Sequence, residues 1–209
     1  MADWSTIASV GTAAGTLVLA LATFASVRSS NRSAKVSEKA MLAGIRPVMV
    51  TSRLDDPYEK VGFQDNHWMR VEGGRGVVEI VDGTIYLGLA VRNVGNGLAV
   101  LDRWNIHVGR QSDDPLGELD DFRRLTRDIY IAAGDHGFWQ GSIRDISDPM
   151  FLPVSNAVAE GEMIVIDVLY GDHDGGQHTI SRFALIARPE GQRIAAVSRH
   201  WNLDRSDPR

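Results

Sequence analysis

The chain has 209 residues, of which 44% are hydrophobic, so it is long enough for one domain with an ordinary core and one additional segment. Residues 1–46 carry five Lys/Arg against two Asp/Glu, a net of +3, whereas residues 47–209 carry 17 against 25, a net of −8. An acidic main domain argues against nucleic-acid binding, and the absence of cysteine excludes disulfides, thiolate zinc sites and acylated cysteines.

The first predicted element is an uncharged run from Ile7 to Val27, rich in Ala, Leu, Val, Gly and Thr. A helix over residues 7–27 spans about 31 Å at ~1.5 Å per residue, which matches the hydrocarbon core of a bilayer. Its Ser and Thr hydroxyls can bond to helix carbonyls. Trp4 stands where an interfacial aromatic residue belongs, so the run predicts one transmembrane helix.

The charges on either side of the run give this helix a direction. Asp3 precedes it, whereas five positive residues follow it: Arg28, Arg32, Lys35, Lys39 and Arg46. The positive-inside rule then predicts a single-pass protein of the plasma membrane, with the N-terminus outside and residues 28–209 in the cytoplasm.

The rival interpretation is a cleaved secretory signal that releases the rest of the chain, with Ala20-Leu21-Ala22 as the small-residue cleavage site. A signal peptide begins with a positively charged region, whereas this chain has Asp3 there. A retained anchor is therefore favoured over a cleaved signal and over the buried helix of a soluble protein.

Gly11 and Gly15 lie one helical turn apart and form a small-xxx-small pattern, which lets two helix backbones approach closely. The pattern predicts a homodimer through the transmembrane helix. Spans rich in Ala and Gly also produce this spacing by chance.

Four of the basic residues should share one face of a helix that continues beyond the membrane: Arg28, Arg32, Lys35 and Lys39. They predict contact with anionic lipid headgroups, worth roughly 1 kcal/mol per charge. A solvated flank that stops transfer into the membrane also explains them, and this is the favoured main role. Gly44 and Pro47 predict where the helix ends.

After this helix the sequence favours extended β-strands. A first strand is predicted at 48–52 and a loop at 53–75, where Asp-Asp-Pro and Gly-Gly occur. Two apolar runs, 76–81 and 84–91, flank Asp82-Gly83, which predicts a hairpin with a type I′ turn. Alternate residues of the second run should face the core: Ile85, Leu87, Leu89 and Val91.

The remaining elements are short strands with tight turns between them. A short helix is predicted at 149–159, with Asp148 as its N-cap and Pro149 as its first residue. Further strands are predicted at 98–108, 128–132, 137–142, 162–170, 178–187 and 192–201.

These elements define the fold class. They favour a mainly β domain at 47–203, an antiparallel β-sandwich of immunoglobulin-like general shape. The long transmembrane and juxtamembrane helix of residues 1–46 precedes it, and a flexible tail at 204–209 follows it.

Three segments together resemble a known group. They are Leu42-Ala-Gly-Ile-Arg-Pro47, the strand and turn Tyr86–Gly97, and the hairpin Tyr170–Gln177 that leads into Ile180-Ser-Arg-Phe183. The chain resembles uncharacterised actinobacterial single-pass membrane proteins with an N-terminal anchor and a β-sandwich domain. The resemblance covers nearly the whole chain, and it implies this architecture but no activity.

The turn from Asp172 to His178 is a candidate metal site, because it holds two carboxylates and two imidazoles. The ligands would be Asp172, His173, Asp174 and His178. A calcium loop of the EF type is excluded, since its twelfth position is Phe183 rather than Glu. Asp and Gly also suit a hairpin turn, so the turn is the favoured interpretation over a metal-dependent enzyme or sensor.

Other motifs predict no chemistry. Asp135-His136 lies on a second turn, with no signal that brings it to the first. Asn93–Gly97 lacks both the glycine spacing and the following helix of a dinucleotide loop. Nucleophile elbows, Walker loops and zincin helices do not occur in the sequence, so no catalytic residue and no cofactor is predicted.

The tryptophans divide into two groups. Trp104 and Trp139 are expected to fill the core, whereas His67-Trp68 in the predicted loop is a candidate exposed recognition patch. Together with the anchor, this predicts a membrane-anchored, non-catalytic interaction or scaffold module. Its expected partners are membrane lipid and a second protein or a second copy of the chain.

Overall fold

The computed structural model describes residues 3–109, 116–189 and 191–204. The chain divides between Gly44 and Ile45 into two compact units. The first contains α1, a single helix from Trp4 to Gly44, and the second is the β domain. The predicted continuation of the helix to Gly44 is confirmed.

Eleven strands and one α-helix are described in the β domain. In chain order they are β1 (Met49–Thr51), β2 (Glu59–Gly62), β3 (Trp68–Val71), β4 (Arg75–Val81), β5 (Thr84–Asn93), β6 (Ala99–Val108), β7 (Arg123–Ile131), β8 (His136–Ile143), α2 (Phe151–Glu160), β9 (Ile164–Gly171), β10 (His178–Ile186) and β11 (Arg193–Asn202). A 3-10 turn, Leu119–Asp121, precedes β7.

Nine strands form one antiparallel sheet, in the order β1-β5-β4-β11-β10-β9-β6-β7, with β8 also paired to β5. The sheet is continuous and curls around its core. Strands β2 and β3 form a separate hairpin. The predicted class, a mainly β antiparallel domain after one long helix, is confirmed.

The β4–β5 hairpin turns through Asp82 and Gly83, whose φ angles are 47° and 74°. Both values are positive, as a type I′ turn requires, so the predicted turn is confirmed. The turn sets the register of the two strands, with Val81 opposite Thr84 and Gly76 opposite Leu89.

The main core lies inside the curl. The rings of Trp104 and Trp139 meet there edge to face, with centroids 5.2 Å apart, and both are buried as predicted. The four predicted core residues of β5 are also buried: Ile85, Leu87, Leu89 and Val91.

The predicted loop at 53–75 is wrong in part, because it contains the β2–β3 hairpin. The hairpin turn includes Asn66, at a φ of 62°. Apolar side chains of the hairpin form a second core against the outer face of β4 and β5: Val61, Phe63, Met69 and Val71 pack with Val77, Tyr86 and Ala90. The Asp-Asp-Pro and Gly-Gly motifs from which the loop was predicted lie on either side of this hairpin.

Two further boundaries differ from prediction. Strand β7 extends back to Arg123, and α2 begins at Phe151 rather than at Pro149. The Asp148 carboxylate accepts the Met150 N–H at 2.8 Å, so it holds the turn before the helix. The other predicted strands agree with the structure to within two residues at each end.

The start and end of the β domain are joined by an ion pair. Arg46 and Asp204 lie 2.5 Å apart, and Arg46 also donates to Asn202 at 3.0 Å. Asp204 is the first residue of the predicted tail. Residues 205–209 lie outside the described residues.

Replacing Trp139 with Ala should lower the free energy of unfolding by about 3–5 kcal/mol, because the fully buried ring leaves a cavity beside Trp104. Urea denaturation of the full chain in detergent micelles, followed by near-UV circular dichroism, measures the loss. The matched control is Trp68→Ala, which should change stability by less than about 1 kcal/mol because Trp68 is 67% exposed. Equal losses would contradict the placement of Trp139 in the core.

Candidate functional site

Helix α1 is long and apolar enough to cross a membrane. Over its candidate span, Ala8–Gly44, the mean hydropathy of an 18-residue window reaches 1.8, and none of that window is buried in the structure. The hydroxyls of Thr12, Thr16 and Thr23 donate to carbonyls one turn earlier at 2.8–3.0 Å, as predicted. A signal sequence near an N-terminus meets the same criteria of length and composition.

The predicted basic residues line one side of α1, together with Phe24, Val27 and Val36: Arg28, Arg32, Lys35 and Lys39. Their contact with lipid headgroups stays a prediction. Gly11 and Gly15 lie on the same helix, and a Cβ built on either would have no neighbour within 4 Å. The surface at the two glycines is therefore open, and the dimer face also stays a prediction.

Asp172 holds the β9–β10 turn from within. Its Oδ1 accepts the amide hydrogens of Gly176 at 2.8 Å and Gln177 at 3.2 Å, and the residue is 6% exposed. The other predicted metal ligands are exposed: His173, Asp174 and His178. In the described parts of the chain, no three His, Cys, Asp or Glu side chains are grouped to hold a metal. The arrangement is that of an Asx-stabilised turn.

The second Asp–His pair makes different contacts. His136 starts β8, where its Nε2 lies 3.5 Å from Glu59 and its Nδ1 lies 3.4 Å from Asp135. Across residues 3–109, 116–189 and 191–204, no metal-binding group joins it to the Asp172 turn.

Asp172→Ala should lower the free energy of unfolding by about 1–3 kcal/mol, because two amide groups lose their acceptor. Asp172→Asn should cost much less, since its side-chain carbonyl still accepts both hydrogen bonds. Thermal denaturation with and without zinc chloride measures both effects. Suppose that zinc stabilises the native protein and that both variants lose this stabilisation. That result would contradict a purely structural role for Asp172 and would support the metal hypothesis.

The exposed face of the β2–β3 hairpin presents aromatic rings and cations. Trp68 is 67% exposed and lies opposite Gly62, where a Cβ would come within 2.8 Å of the ring. Lys60 lies opposite Arg70, whose guanidinium stacks 3.7 Å from the centroid of the Tyr58 ring. Arg70 also forms an ion pair with Glu72, with Nε 2.8 Å from Oε1, which offsets the like charges of Lys60 and Arg70 on this face.

His67 does not share this exposed face. Its ring stacks on Tyr86 with centroids 4.0 Å apart, and its Nε2 lies 2.9 Å from Glu79. The predicted His67-Trp68 patch therefore keeps Trp68, while His67 connects the hairpin to β4 and β5.

A carboxylate beside His67 forms a fixed polar cluster that sequence reasoning missed. Asp65 accepts hydrogen bonds from the Tyr86 hydroxyl and, at 2.6 Å, from Arg144. The hydrogen bond from Tyr86, followed by that from Arg144, holds the pKa of Asp65 well below its usual range. The bond to Asp65 raises the pKa of Tyr86. At neutral pH the carboxylate stays charged and the phenol stays protonated, so the pair fixes the hairpin rather than exchanging protons.

Strands β9 and β10 bury an ion pair. Asp167 is fully buried and accepts two hydrogen bonds from Arg182, each 2.7 Å long, while His107 lies 3.4 Å away. Burial raises the pKa of Asp167, but the hydrogen bonds from Arg182 and His107 outweigh it and leave the pKa below its usual value. The register of β10 against β11 shifts directly after Arg182, and such a bulge re-aims a side chain.

Ser181 and His200 form a serine–histidine contact, with the hydroxyl 2.8 Å from Nδ1. Ser181 is fully buried, and its Oγ also contacts the Tyr170 hydroxyl at 2.9 Å and the Met49 carbonyl at 3.1 Å. Burial lowers the pKa of His200. A nucleophile needs access to substrate and an oriented base, so this network serves to fasten β1 to β9, β10 and β11.

No protein-family model matches the chain, and no curated protein matches it. Among solved structures it is similar to the crystal structure of a protein from Archaeoglobus fulgidus, at 11% identity over 61% of this chain and 93% of that chain, with a TM-score of 0.25. A likeness of this size defines neither a family nor a function.

Arg182→Met should lower the free energy of unfolding at neutral pH by about 3–5 kcal/mol, because it leaves the Asp167 charge buried without its guanidinium. The pKa of Asp167 is below its ordinary 3.8, so the stability gained from this carboxylate is present above that value and lost as the pH falls through the folded-state pKa. The loss should therefore shrink in acid, where Asp167 is protonated. Urea denaturation as a function of pH measures it.

Two variants control this prediction. The double variant Asp167→Leu/Arg182→Met should recover most of the loss, since no charge remains buried. Arg182 and Arg199 both lie over the Trp201 ring, with their guanidinium groups 4.9 Å and 5.4 Å from its centroid. Arg199→Met alters the exposed arginine of the two and should have little effect. A loss that is equal for Arg182→Met and the double variant would contradict the buried-charge explanation.

Proposed function

We propose that the protein is a membrane-anchored, non-catalytic interaction module, held in the plasma membrane by α1 with the β domain in the cytoplasm. The observation that carries this proposal is the exposed apolar surface of α1, of which no part of the most hydropathic window is buried. Apolar surface of that extent marks a membrane or interaction site.

The β domain supports the proposal because its cores are built from its own strands. The two larger hydrophobic clusters draw on β1 through β11 and α2. The apolar surface of α1 is exposed over its most hydropathic window and would be covered by lipid.

The orientation of the chain, its contact with lipid headgroups and the dimer of α1 are proposed from the sequence. The basic flank sets the orientation by the positive-inside rule, and its residues would contact anionic headgroups: Arg28, Arg32, Lys35 and Lys39. Gly11 and Gly15 would form the contact in a dimer of α1. The resemblance to actinobacterial single-pass proteins belongs to the same proposal, since it implies the same order of anchor and β domain.

Lack of catalysis is proposed from the polar clusters. Asp65, Tyr86, Asp167 and Ser181 each have their hydrogen bonds directed to neighbouring protein groups, which ties strands together. The exposed face with Trp68 is the feature suited to recognition.

The full chain should remain in the membrane fraction after alkaline carbonate extraction, with its N-terminal residues intact by mass spectrometry. Leu17→Arg/Leu19→Arg should release it, because each charge at the centre of a helix opposes insertion by about 2.5–3.5 kcal/mol. Leu17→Ala/Leu19→Ala is the matched control and should stay in the membrane.

Orientation needs a separate measurement. A reporter fused after residue 209 should be active in the cytoplasm, and replacing the four basic residues of the flank with Glu should weaken or invert that orientation. Cleavage after the apolar run, or recovery of the chain in the soluble fraction, would overturn the anchor.

A further inference from the structure

The turn that follows β5 lies against the first four residues of the β domain, 45–48. A Cβ built on Gly97 would lie 1.8 Å from the Ile45 carbonyl oxygen, and one built on Gly95 would lie 2.2 Å from the Arg46 carbonyl oxygen. Both neighbours are backbone atoms, which cannot turn aside as the end of a flexible side chain can. Close approach therefore requires glycine at both positions, and the turn forms a seat for residues 45–48.

Hydrogen bonds fasten the entering segment to this seat, Asn93–Gly97. The Asn93 side chain is fully buried, and its Oδ1 accepts the Val48 N–H at 3.1 Å and the Gly95 N–H at 3.0 Å. The Val94 N–H donates to the Val48 carbonyl at 2.8 Å. Separating the two segments would leave these buried groups without partners, so the hydrogen bonds hold the segments together.

The entering segment is also fixed to other strands. Arg46 donates to the Thr179 hydroxyl at 3.2 Å and forms its ion pair with Asp204, so it contacts β10 and the residues that follow β11. The Met49 N–H donates to the hydroxyl of Tyr170, in β9, at 3.0 Å. Residues 45–48 are therefore part of the folded β domain and do not form a flexible linker.

Gly44 differs from the residues that follow it. It is the last residue of α1, and the β domain begins at the next residue, Ile45, which lies against the seat. A Cβ built on Gly44 would meet no atom within 4 Å, so close packing does not explain the glycine. Glycine has more backbone freedom than alanine, and it weakens a helix at the position where it occurs.

We propose that Gly44 is a single-residue hinge between α1 and the β domain, and that the seat confines motion to this hinge by locking residues 45–48. Hinges are a few residues at the end of an element, often small, that absorb changes of backbone angle while the parts on either side stay rigid. For a tethered module, such a hinge limits how far the β domain turns toward a partner. The inference rests on the proposed anchoring by α1 and adds a conformational device to it.

Amide hydrogen exchange of the full chain in detergent micelles tests the seat. The Val48 and Val94 amides should exchange slowly, because each donates to an acceptor within the seated segments. Gly97→Ala should speed their exchange by about tenfold or more, since its Cβ displaces the Ile45 carbonyl. Gly117→Ala is the matched control and should change neither amide, because its Cβ would have no neighbour closer than 3.7 Å.

The motion of the β domain in lipid nanodiscs tests the hinge. Because the chain has no cysteine, Asn156→Cys at an exposed position of α2 takes a single fluorophore, whose residual anisotropy falls as the domain moves more freely. Gly97→Ala should lower the residual anisotropy, whereas Gly44→Ala should raise it by favouring the helix. Inserting Gly-Gly-Ser after Gly44 should lower it while exchange at Val48 stays slow.

Several results would overturn the proposal. Fast exchange of Val48 in the native protein, or equal exchange in Gly97→Ala and Gly117→Ala, would exclude the seat. A native residual anisotropy as low as that of the insertion variant, or one unchanged by Gly44→Ala, would exclude the hinge. If Gly97→Ala loses its near-UV circular dichroism and is unfolded, the insertion variant and Gly44→Ala still test the proposal with the seat intact.

The anchor and the seat fail independently of each other. Carbonate extraction reports on the anchor alone, whereas hydrogen exchange in micelles needs no membrane insertion. A chain that is extracted from the membrane but keeps Val48 protected would therefore contradict the anchor and leave the seat in place.

Discussion

The β domain depends on β5, which is hydrogen-bonded on both edges and buried on both faces. Strand β8 pairs with one edge, while β4 and β1 follow each other along the other. Leu87 and Leu89 enter the main core, whereas Tyr86 and Ala90 enter the second core under the hairpin. Because both faces are apolar, hydrophobicity alone does not distinguish one register from its neighbour. The type I′ turn and Gly88 supply the distinction, since a Cβ at Gly88 would lie 2.8 Å from Val71.

This arrangement explains which parts of the fold were predictable. Asp82-Gly83 fixed a turn whose backbone angles few other residues adopt, so the β4–β5 hairpin followed from local chemistry. The same argument gave the alternation of Ile85 to Val91, but it assigned one core face where the structure has two. The β2–β3 hairpin was missed because its strands are four residues each and make sense only against the outer face of β5.

The polar clusters were less predictable than the strands, for a physical reason. Asp167 stands in an otherwise apolar strand, which signals a buried charge that needs a partner. That partner, Arg182, is fixed by the β9–β10 register and by the bulge that follows it, neither of which a single sequence shows. The Asp172 turn illustrates the reverse case. Its composition suits a metal, and the hydrogen-bond geometry commits one carboxylate oxygen, Oδ1, to two backbone amides of the turn.

The curl of the sheet connects β4 and β5 to the strands that hold the buried ion pair. A continuous sheet that wraps around one core brings β4 to β11, and among the described residues the two strands pair at Gly76 with Arg193 and at Arg75 with Ile194. Arg193 and Gln192 then connect β11 to α2 and to the β2–β3 hairpin, so side-chain hydrogen bonds supplement this short pairing.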